Sequence, residues 1–497
     1  MSALVRRLET TIAADPSRML GRLFVPGHEH YTASESRATG VLGSILALQE
    51  EVVAKTLEDV RTRYGDRHRD LLQLLRRSFE QIEHRIPPGH ALSGDRELLL
   101  GAWFTQEYAL EAAALFNPSA VPHPDQTGLA DGELRFLLSL RAVGEGHLSS
   151  IVFHSGVLGA DGAVRLDLRS RHSETGTIST TTHSRAVLAA RLAEEGADQE
   201  STRFLLALLP PTFLTKELAN ALSDLAGQSV TRHGAAHTAG LALSLVDCEY
   251  GVAFDPTTEL TERVLWPISP SESHGMEDAR FVQLADGRYL ATYTAYDGRA
   301  ISSRLLETRD FLTFRVSQLA GDAVSSKGVA LFPRTVGDRH LALSRHDRES
   351  CSLASSEDGL VWHAAAPVHA PTRPWELIQT GNCGSPIETN EGWLVLTHGV
   401  GPMREYVLGA LLLDLDDPSV VLGSLRDPLL RATHSERDGY VPNVVYSCGG
   451  LRHGDRLLLP YGASDTSVRF ALVDLPCLLA QLLRDGPSRT TRSNSSA

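Results

Sequence analysis

The chain has 497 residues, of which 42% are hydrophobic and 22% charged, and its formal net charge is −14 at pH 7. This composition is ordinary for a globular protein, and the length allows two or three domains or one large repeat fold. The acidic balance argues against a nucleic-acid partner or an anionic membrane partner, because both require a basic surface.

Membrane and secretion signals are absent from the sequence pattern. No stretch reaches about 18 uncharged apolar residues, and the first twenty residues hold no uninterrupted apolar run of the kind found in signal peptides. The five cysteines are scattered, and no CxxC pair exists. We therefore expect a cytoplasmic protein without a disulfide framework or a zinc ribbon.

Residues 1–112 are predicted to form a helical amino-terminal region. The stretch "LEDVRTRYGDRHRDLLQLLRRSFEQIEHRIP" carries apolar residues at intervals of three and four, with charges between them. Pro87 and Pro88 end this pattern, and a further helix is predicted to begin at Ser93 or Asp95 as its cap. A second helical patch is predicted at about residues 184–227, and residues 481–497 are predicted to be a disordered tail.

Five short segments between and after these helices share one plan. Each has a tight turn of glycine with an acidic residue, an alternating strand, and a polar side chain where the strand ends; the segments are 131–142, 286–297, 337–347, 391–400 and 454–465. The last four begin about 50 to 63 residues apart, which suits four-stranded blades. We therefore predict a mainly β chain with a five-bladed β-propeller over residues 113–480. The alternative is a β-sandwich with coincidental turns.

In a propeller, the polar strand ends would converge on one face. They comprise Arg141, the cluster 293–297, Arg345, His398, and Tyr461 with Asp465. Adjacent acids, Glu277 and Asp278, stand in "MEDAR" at the start of another strand. Acids with cations on one face fit cleavage of a glycoside, either by phosphate, which needs a basic cluster, or by water, which needs a second carboxylate as base. Binding of a sugar without catalysis is the third possibility.

Several motifs then resemble glycoside hydrolase family 130, in the right order, over roughly residues 112–475. They are "FNPSAV", "MEDAR", "SSKGVALFPR", "GSPIETNEGWLVLTHGV", "YVLGALLLDLDDPSVVLG", "GYVPNVVYSCGG" and "PYGASD". The resemblance implies a five-bladed propeller that acts on β-mannosides with inversion, mostly by phosphorolysis and in some members by hydrolysis. We also expect that no metal or organic cofactor is needed, because protonation and displacement at an anomeric carbon require neither.

The resemblance also implies roles for individual residues. Asp278 would be the catalytic acid, kept protonated near neutrality with help from the charge of Glu277, which would orient the sugar or Arg280. The residues expected to bind the sugar are Asn117, Ser119, Arg141, Glu277, Arg280, Tyr461 and Asp465. Those expected to bind phosphate are Lys327, which is one of only three lysines in the chain, Arg345 and His398.

One position departs from the phosphorylase pattern. Glu388 stands where the phosphorylases are expected to have a lysine, and the hydrolytic members resemble this chain in having a glutamate there. Glu388 could pair with Arg345 and act as general base for water. We predict phosphorolysis of a β-mannoside oligosaccharide to α-mannose 1-phosphate. The alternatives are an inverting β-mannosidase with Glu388 as base, and a non-catalytic mannoside-binding propeller. A homo-oligomer is possible for each of them.

Overall fold

The computed structural model describes residues 4–27, 37–227 and 232–488, and strands dominate this part of the chain. It contains thirty strands and nine α-helices within those residues. The predicted mainly β class is confirmed. No helix in the described residues is both long and apolar enough to cross a membrane.

The amino-terminal region contains strands as well as helices. Its elements are β1 (Val5–Ala13), β2 (Met19–Leu23), α1 (Arg37–Leu46), α2 (Glu50–Tyr64), α3 (Leu71–Ile82), α4 (Gly94–Trp103) and β3 (Thr105–Ala109). The prediction of a helical region over residues 1–112 is therefore wrong at three places. In β1 the β-branched residues Val5, Thr10, Thr11 and Ile12 favour extended backbone, and a later strand supplies the hydrogen-bonding partner.

The predicted helical pattern is clearest in α3. Its buried residues follow a spacing of three and four, so one stripe faces the core; they are Leu71, Leu75, Ser78, Phe79 and Ile82. Asp70 caps the helix, because its carboxylate accepts a hydrogen bond from the backbone N–H of Gln73 at 2.9 Å. Ser93 caps α4 by accepting from the backbone N–H of Arg96 at 3.2 Å, so the cap is Ser93 rather than Asp95.

The first strand group is followed by a mixed segment. Group 1 consists of β4 (Ala114–Pro122), β5 (Leu134–Val143), β6 (Ser149–Leu158) and β7 (Val164–Leu166). After it come β8 (Glu174–Thr175), β9 (Thr177–Ser179), β10 (Thr182–Ser184), α5 (Arg185–Glu194), α6 (Gln199–Leu208), β11 (Thr212–Leu214), α7 (Thr215–Gly227), α8 (Ala235–Val246), β12 (Tyr250–Ala253) and β13 (Arg263–Leu265). The helical insertion therefore extends to Val246, beyond the predicted end at residue 227.

Four further groups follow in chain order. Group 2 is β14 (Gly275–Gln283), β15 (Tyr289–Tyr296), β16 (Ile301–Thr308) and β17 (Thr313–Gln318); group 3 is β18 (Ala330–Leu331), β19 (His340–Ser344), β20 (Cys351–Ser356) and β21 (His363–His369). Group 4 is β22 (Gln379–Asn382), β23 (Ile387–Glu388), β24 (Trp393–Val400), β25 (Tyr406–Leu413) and β26 (Val421–Ser424). Group 5 is β27 (Val445–Tyr446), β28 (Leu451–His453), β29 (Arg456–Ala463) and β30 (Ser467–Asp474), and α9 (Leu475–Asp485) follows it.

The prediction of a disordered tail over residues 481–497 is wrong at its start. Residues 481–485 belong to helix α9, whose leucines Leu475, Leu478, Leu479 and Leu482 are buried. The apolar spacing of those leucines outweighs the polar composition further on. Residues 489–497 lie outside the described part of the chain.

Each strand group packs against the next through a hydrophobic cluster. Groups 1 and 2 share one cluster, groups 2 and 3 another, groups 3 and 4 a third, and groups 4 and 5 a fourth. A fifth cluster joins group 5 to group 1. Ring contacts mark three of these junctions: Phe153 with Phe314, Phe332 with Trp393, and Phe136 with Phe470. The order of packing is therefore cyclic.

Strand β1 completes the last group. It pairs antiparallel with β30, with Val5 opposite Val473 and Ala13 opposite Ser467. The amino-terminal region is consequently joined by backbone hydrogen bonds to the end of the chain, and it does not stand apart as a separate unit.

Candidate functional site

A cleft of about 840 Å³ brings together most of the predicted site residues. All five strand groups contribute them, either from within a strand or from a loop next to one. The predicted residues that line the cleft are Asn117, Arg141, Asp278, Arg280, Lys327, Arg345, His398 and Asp465. Below it is called the reaction cleft.

Two of these residues sit at irregularities in otherwise regular strands. The pairing of β4 with β5 shifts register between Phe116 and Ser119, and that of β14 with β15 shifts between Glu277 and Arg280. Within these bulges Asn117 has φ of 51° and Asp278 has φ of 57°. Such left-handed conformations of non-glycine residues are costly and cluster at functional sites. The bulges turn both side chains into the cleft.

The acids and Arg141 form a compact network. Asn117 Nδ2 donates to Asp278 Oδ1 at 2.7 Å, and Arg141 Nη1 lies 3.5 Å from the same oxygen. Arg141 Nη2 donates to Glu277 Oε1 at 2.8 Å, and Lys327 Nζ donates to the other oxygen of Glu277. Glu277 therefore orients Arg141 and Lys327. The expectation that it orients Arg280 is wrong.

Arg280 is held by neutral groups. Its guanidinium donates to the backbone carbonyls of Asp278 and Cys383, each at 2.8 Å, and to the hydroxyl of Tyr446 at 2.9 Å. It is almost fully buried, with 2% of its surface exposed. A guanidinium fixed this way keeps its positive charge available to an anion in the cleft.

The protonation of the acids differs from the prediction. Burial by itself would raise the pKa of Asp278, but the guanidinium groups of Arg141 and Arg280 and the hydrogen bond from Asn117 outweigh it and lower that pKa. The charge of Glu277 does not keep Asp278 protonated, because Arg141 and Lys327 offset it. Burial and the nearby charge of Asp278 instead raise the pKa of Asp465 to about 7.

The predicted phosphate-binding residues lie together, but only two of them are cationic. His398 is fully buried, and burial followed by repulsion from Arg345 and Arg280 lowers its pKa well below the ordinary value. Its imidazole is therefore neutral, and neither ring nitrogen has a hydrogen-bond partner among the described residues. Arg345 fits against Gly381, where an added Cβ would come within 2.2 Å of the Arg345 side chain.

Glu388 lies outside the reaction cleft. Strand pairing places it opposite Trp393 at the start of β24, whereas His398 lies five residues further along that strand, or roughly 17 Å. Its exposed carboxylate accepts from Arg334 Nη2 at 2.7 Å, and this hydrogen bond lowers its pKa. The predictions that Glu388 pairs with Arg345 and acts as a base in the site are therefore wrong.

Three predicted sugar-binding residues are also absent from the cleft lining: Glu277 lines a neighbouring pocket, and Ser119 and Tyr461 are buried. Ser119 is fully buried, and its hydroxyl accepts from the backbone N–H of Phe281 at 3.0 Å, which links β4 to β14. Tyr461 is buried in the cluster between groups 4 and 5, and its hydroxyl donates to Glu436 at 2.7 Å. The alternation of side chains along β29 turns Tyr461 into this core.

Nine further polar or aromatic side chains line the cleft and were missed from the sequence; they are Phe116, Arg299, Ser325, Ser326, Arg348, Gln379, Arg404, Tyr406 and Tyr446. Tyr446 lies within "GYVPNVVYSCGG", so the motif was a usable signal. Arg299, Arg348 and Arg404 come from turns after strands, where no periodic pattern identifies them. With them, six arginines and one lysine line the cleft against two aspartates.

Comparison with known proteins gives a consistent family. The sequence model described as beta-1,4-mannooligosaccharide phosphorylase, of glycoside hydrolase family 130, matches residues 235–482. A beta-1,2-mannobiose phosphorylase of Listeria innocua is 33% identical over 233 residues, which cover 44% of this chain and 63% of that protein. A 1,2-beta-oligomannan phosphorylase of a Thermoanaerobacter species is 32% identical over 221 residues, which cover 44% of this chain and 74% of that protein.

Among solved structures, the Listeria innocua beta-1,2-mannobiose phosphorylase in complex with beta-1,2-mannobiose aligns with a TM-score of 0.44 and 23% identity. The alignment covers 74% of this chain and 92% of that one. The sequence matches, which include a relative aligned over most of its own length, establish the family. The chain belongs to glycoside hydrolase family 130.

Proposed function

We propose that the protein is an inverting β-mannoside phosphorylase, which uses inorganic phosphate to cleave a β-mannosidic bond and releases α-mannose 1-phosphate. The observation that carries this proposal is the excess of cations in the reaction cleft. Five of its arginines form no ion pair with a carboxylate in the described part of the chain: Arg280, Arg299, Arg345, Arg348 and Arg404. These five arginines line one cleft of a chain whose net charge is −14.

A phosphate dianion is the ligand that these cations suit. Charge-assisted hydrogen bonds to phosphate are roughly twice as strong as neutral ones. Of the five arginines only Arg280 is buried, and a buried guanidinium without a carboxylate partner costs several kcal/mol if no anion arrives. Arg280 and Arg345 would hold the dianion, and the neutral imidazole of His398 would add a hydrogen bond. Hydrolysis lacks a comparable observation, because the carboxylate once expected to activate water stands outside the cleft.

Asp278 is proposed as the acid. Without phosphate, Arg141 and Arg280 hold its pKa low. A bound dianion would offset the charge of Arg280 and so raise the pKa of Asp278, which lets the carboxyl take up a proton as the co-substrate binds. Following the family resemblance, that proton would reach the leaving oxygen through a hydroxyl of the mannose. The anomeric carbon exchanges its bond to the leaving oxygen for one to a phosphate oxygen.

Asn117, Arg141 and Asp465 are proposed to grip the mannose that is transferred. All three border Asp278, and each presents a hydrogen-bonding group to the cleft. Because the pKa of Asp465 is about 7, this carboxyl could donate or accept a hydrogen bond at neutral pH. No metal is required by this chemistry, since protonation and displacement at an anomeric carbon need neither a Lewis acid nor a redox group.

The proposed architecture behind the site is a five-bladed β-propeller with β1 in its last blade. Support comes from the five strand groups, from their cyclic packing, and from a cleft lined by residues of all five. The free cysteines suit a reducing compartment such as the cytoplasm.

The deciding experiment is one assay run with and without phosphate. β-1,2-Mannobiose is the first substrate to test because the Listeria and Thermoanaerobacter relatives are named for β-1,2 substrates, and β-1,4-mannobiose is the second because of the family description. We expect α-mannose 1-phosphate only when phosphate is present, and synthesis of the mannoside from that donor in reverse. Release of free mannose at an equal rate in phosphate-free buffer would overturn the proposal.

A further inference from the structure

The reaction cleft continues into a second pocket of about 630 Å³. Strands β2 and β3 contribute Arg22, Gln106 and Tyr108 to its wall. These residues lie outside the segment that the family model matches, so this wall is supplied by the chain's own amino-terminal region.

The second pocket and the reaction cleft share only part of their lining. Phe116, Arg141 and Asp465 line both, whereas Arg345 and His398 line the reaction cleft alone. The second pocket therefore opens from the side of the site where the mannose is proposed to bind, away from the residues proposed to bind phosphate.

The inverting mechanism determines which part of the substrate binds on the side of Arg141 and Asp465. The nucleophile and the leaving group lie on opposite faces of the sugar ring in an inverting displacement. If phosphate occupies the cationic side, the leaving sugar must extend away from it, past Arg141 and Asp465. We infer that the second pocket is the acceptor subsite, which binds the leaving part of a β-mannoside oligosaccharide and selects it through the amino-terminal region. This inference rests on the proposed function.

The pocket wall is held in place by contacts that suit a sugar. The Arg22 guanidinium lies 4.4 Å from the ring centre of Trp266 and 5.6 Å from that of Tyr108. Tyr108 in turn donates to the backbone carbonyl of Glu145 at 2.9 Å, which anchors the adjoining loop of the pocket lining. Sugars present apolar ring faces and polar edges, and a wall of fixed aromatic rings beside hydrogen-bonding groups matches both.

Another part of the pocket lining joins two strand groups. The hydroxyl of Tyr440, before group 5, is 2.8 Å from Nδ1 of His147, which follows β5 of group 1. Both residues line the pocket. Gln106 lines the same pocket, so a sugar in it could be bound by polar atoms of both the amino-terminal region and these two strand groups.

The test fills the pocket without touching the reaction cleft. Gln106 is exposed on β3, and Gln106→Trp places an indole in the pocket; Gln199→Trp, at an exposed position on α6, is the matched control. The assay runs in the synthetic direction, with α-mannose 1-phosphate as donor and mannose or β-mannobiose as acceptor. We expect the acceptor KM to rise roughly tenfold in Gln106→Trp, because the acceptor would lose a few hydrogen bonds to the pocket. The donor KM should stay within about twofold, and Gln199→Trp should match the wild type.

A second variant removes a contact instead of adding bulk. His147→Ala should raise the acceptor KM by roughly threefold to tenfold with the donor KM unchanged, as expected for one lost hydrogen bond. An unchanged acceptor KM in both variants overturns the inference, even though the wild type phosphorolyses mannosides.

Failure of the proposed function has a different signature. In that case the wild type forms no α-mannose 1-phosphate, and calorimetric titration with β-1,2-mannotriose replaces the kinetic readout. Weaker binding to Gln106→Trp than to Gln199→Trp would still support the subsite. Equal affinity for the two variants, or no measurable binding to the wild type, would overturn it.

Discussion

Asp465 provides the most quantitative prediction, because its carboxyl is costly to ionise in the folded protein. Burial and the charge of Asp278 raise its pKa from an ordinary value of 3.8 to about 7. A carboxyl with a raised folded pKa favours the folded state below its unfolded pKa, and that contribution is lost as the pH rises through the folded pKa. Asp465→Asn removes the ionisation while it keeps the shape.

The expected magnitude follows from the two pKa values. Each pKa unit corresponds to 1.36 kcal/mol, so ionised Asp465 destabilises the fold by up to about 4 kcal/mol at pH 8 and by under about 2 kcal/mol at pH 5. The difference in the free energy of unfolding between Asp465→Asn and the wild type should therefore be about 2 to 3 kcal/mol larger at pH 8 than at pH 5, in favour of the variant.

The assay is reversible urea unfolding at both pH values, in buffers without phosphate or sugar so that the cleft stays free of ligands. Asp286→Asn is the control: hydrogen bonds from Arg288 lower the pKa of Asp286, so its ionisation is complete below pH 5 and its effect should be equal at the two pH values. If the effect of Asp465→Asn is also equal at pH 5 and pH 8, the carboxyl titrates normally and the reasoning is refuted.

Three further changes test the proposed chemistry. Asp278→Asn should lower the rate of phosphorolysis by about 10² or more, because it removes the transferable proton at nearly constant shape; a rate within twofold of the wild type would contradict the role. Arg345→Ala should raise the KM for phosphate by about tenfold or more, whereas Arg334→Ala, a change outside the cleft, should leave it unchanged; equal effects would remove Arg345 from the phosphate site. Glu388→Gln should change the rate by less than about twofold, since exposed ion pairs contribute about 0–1 kcal/mol, and abolished turnover would restore its candidacy as a base.

Motif order and strand ends were enough to place most of the cleft. Asn117, Asp278 and Asp465 stand in motifs that resemble the family, and all three reach the cleft through left-handed backbone with φ of 51°, 57° and 48°. The motifs identified these residues, but only the structure fixes the direction of their side chains. Ser119 lies two residues from Asn117 and is turned away, because the bulge ends between them.

The charge balance within the cleft could not be predicted from the sequence. Adjacent acids suggested mutual repulsion and a protonated Asp278, yet Arg141 comes from another strand group and Lys327 from a third, and both neutralise the pair. The prediction for Glu388 was wrong for a related reason. Its position in a motif identified the strand, but not which end of β24 it would pair with. Such outcomes depend on contacts between residues 50 to 136 positions apart.

The pairing of β1 with β30 sets an order of events during synthesis. Val5 meets Val473, so the amino-terminal strand emerges from the ribosome long before its partner exists. At about 5–20 residues per second, it waits roughly half a minute to a minute and a half. Throughout that time β1 is an open strand edge, and its charged residues, Arg6, Arg7 and Glu9, are the kind that discourage pairing with other chains. The last sheet can form completely only after residues 467–473 have been synthesised.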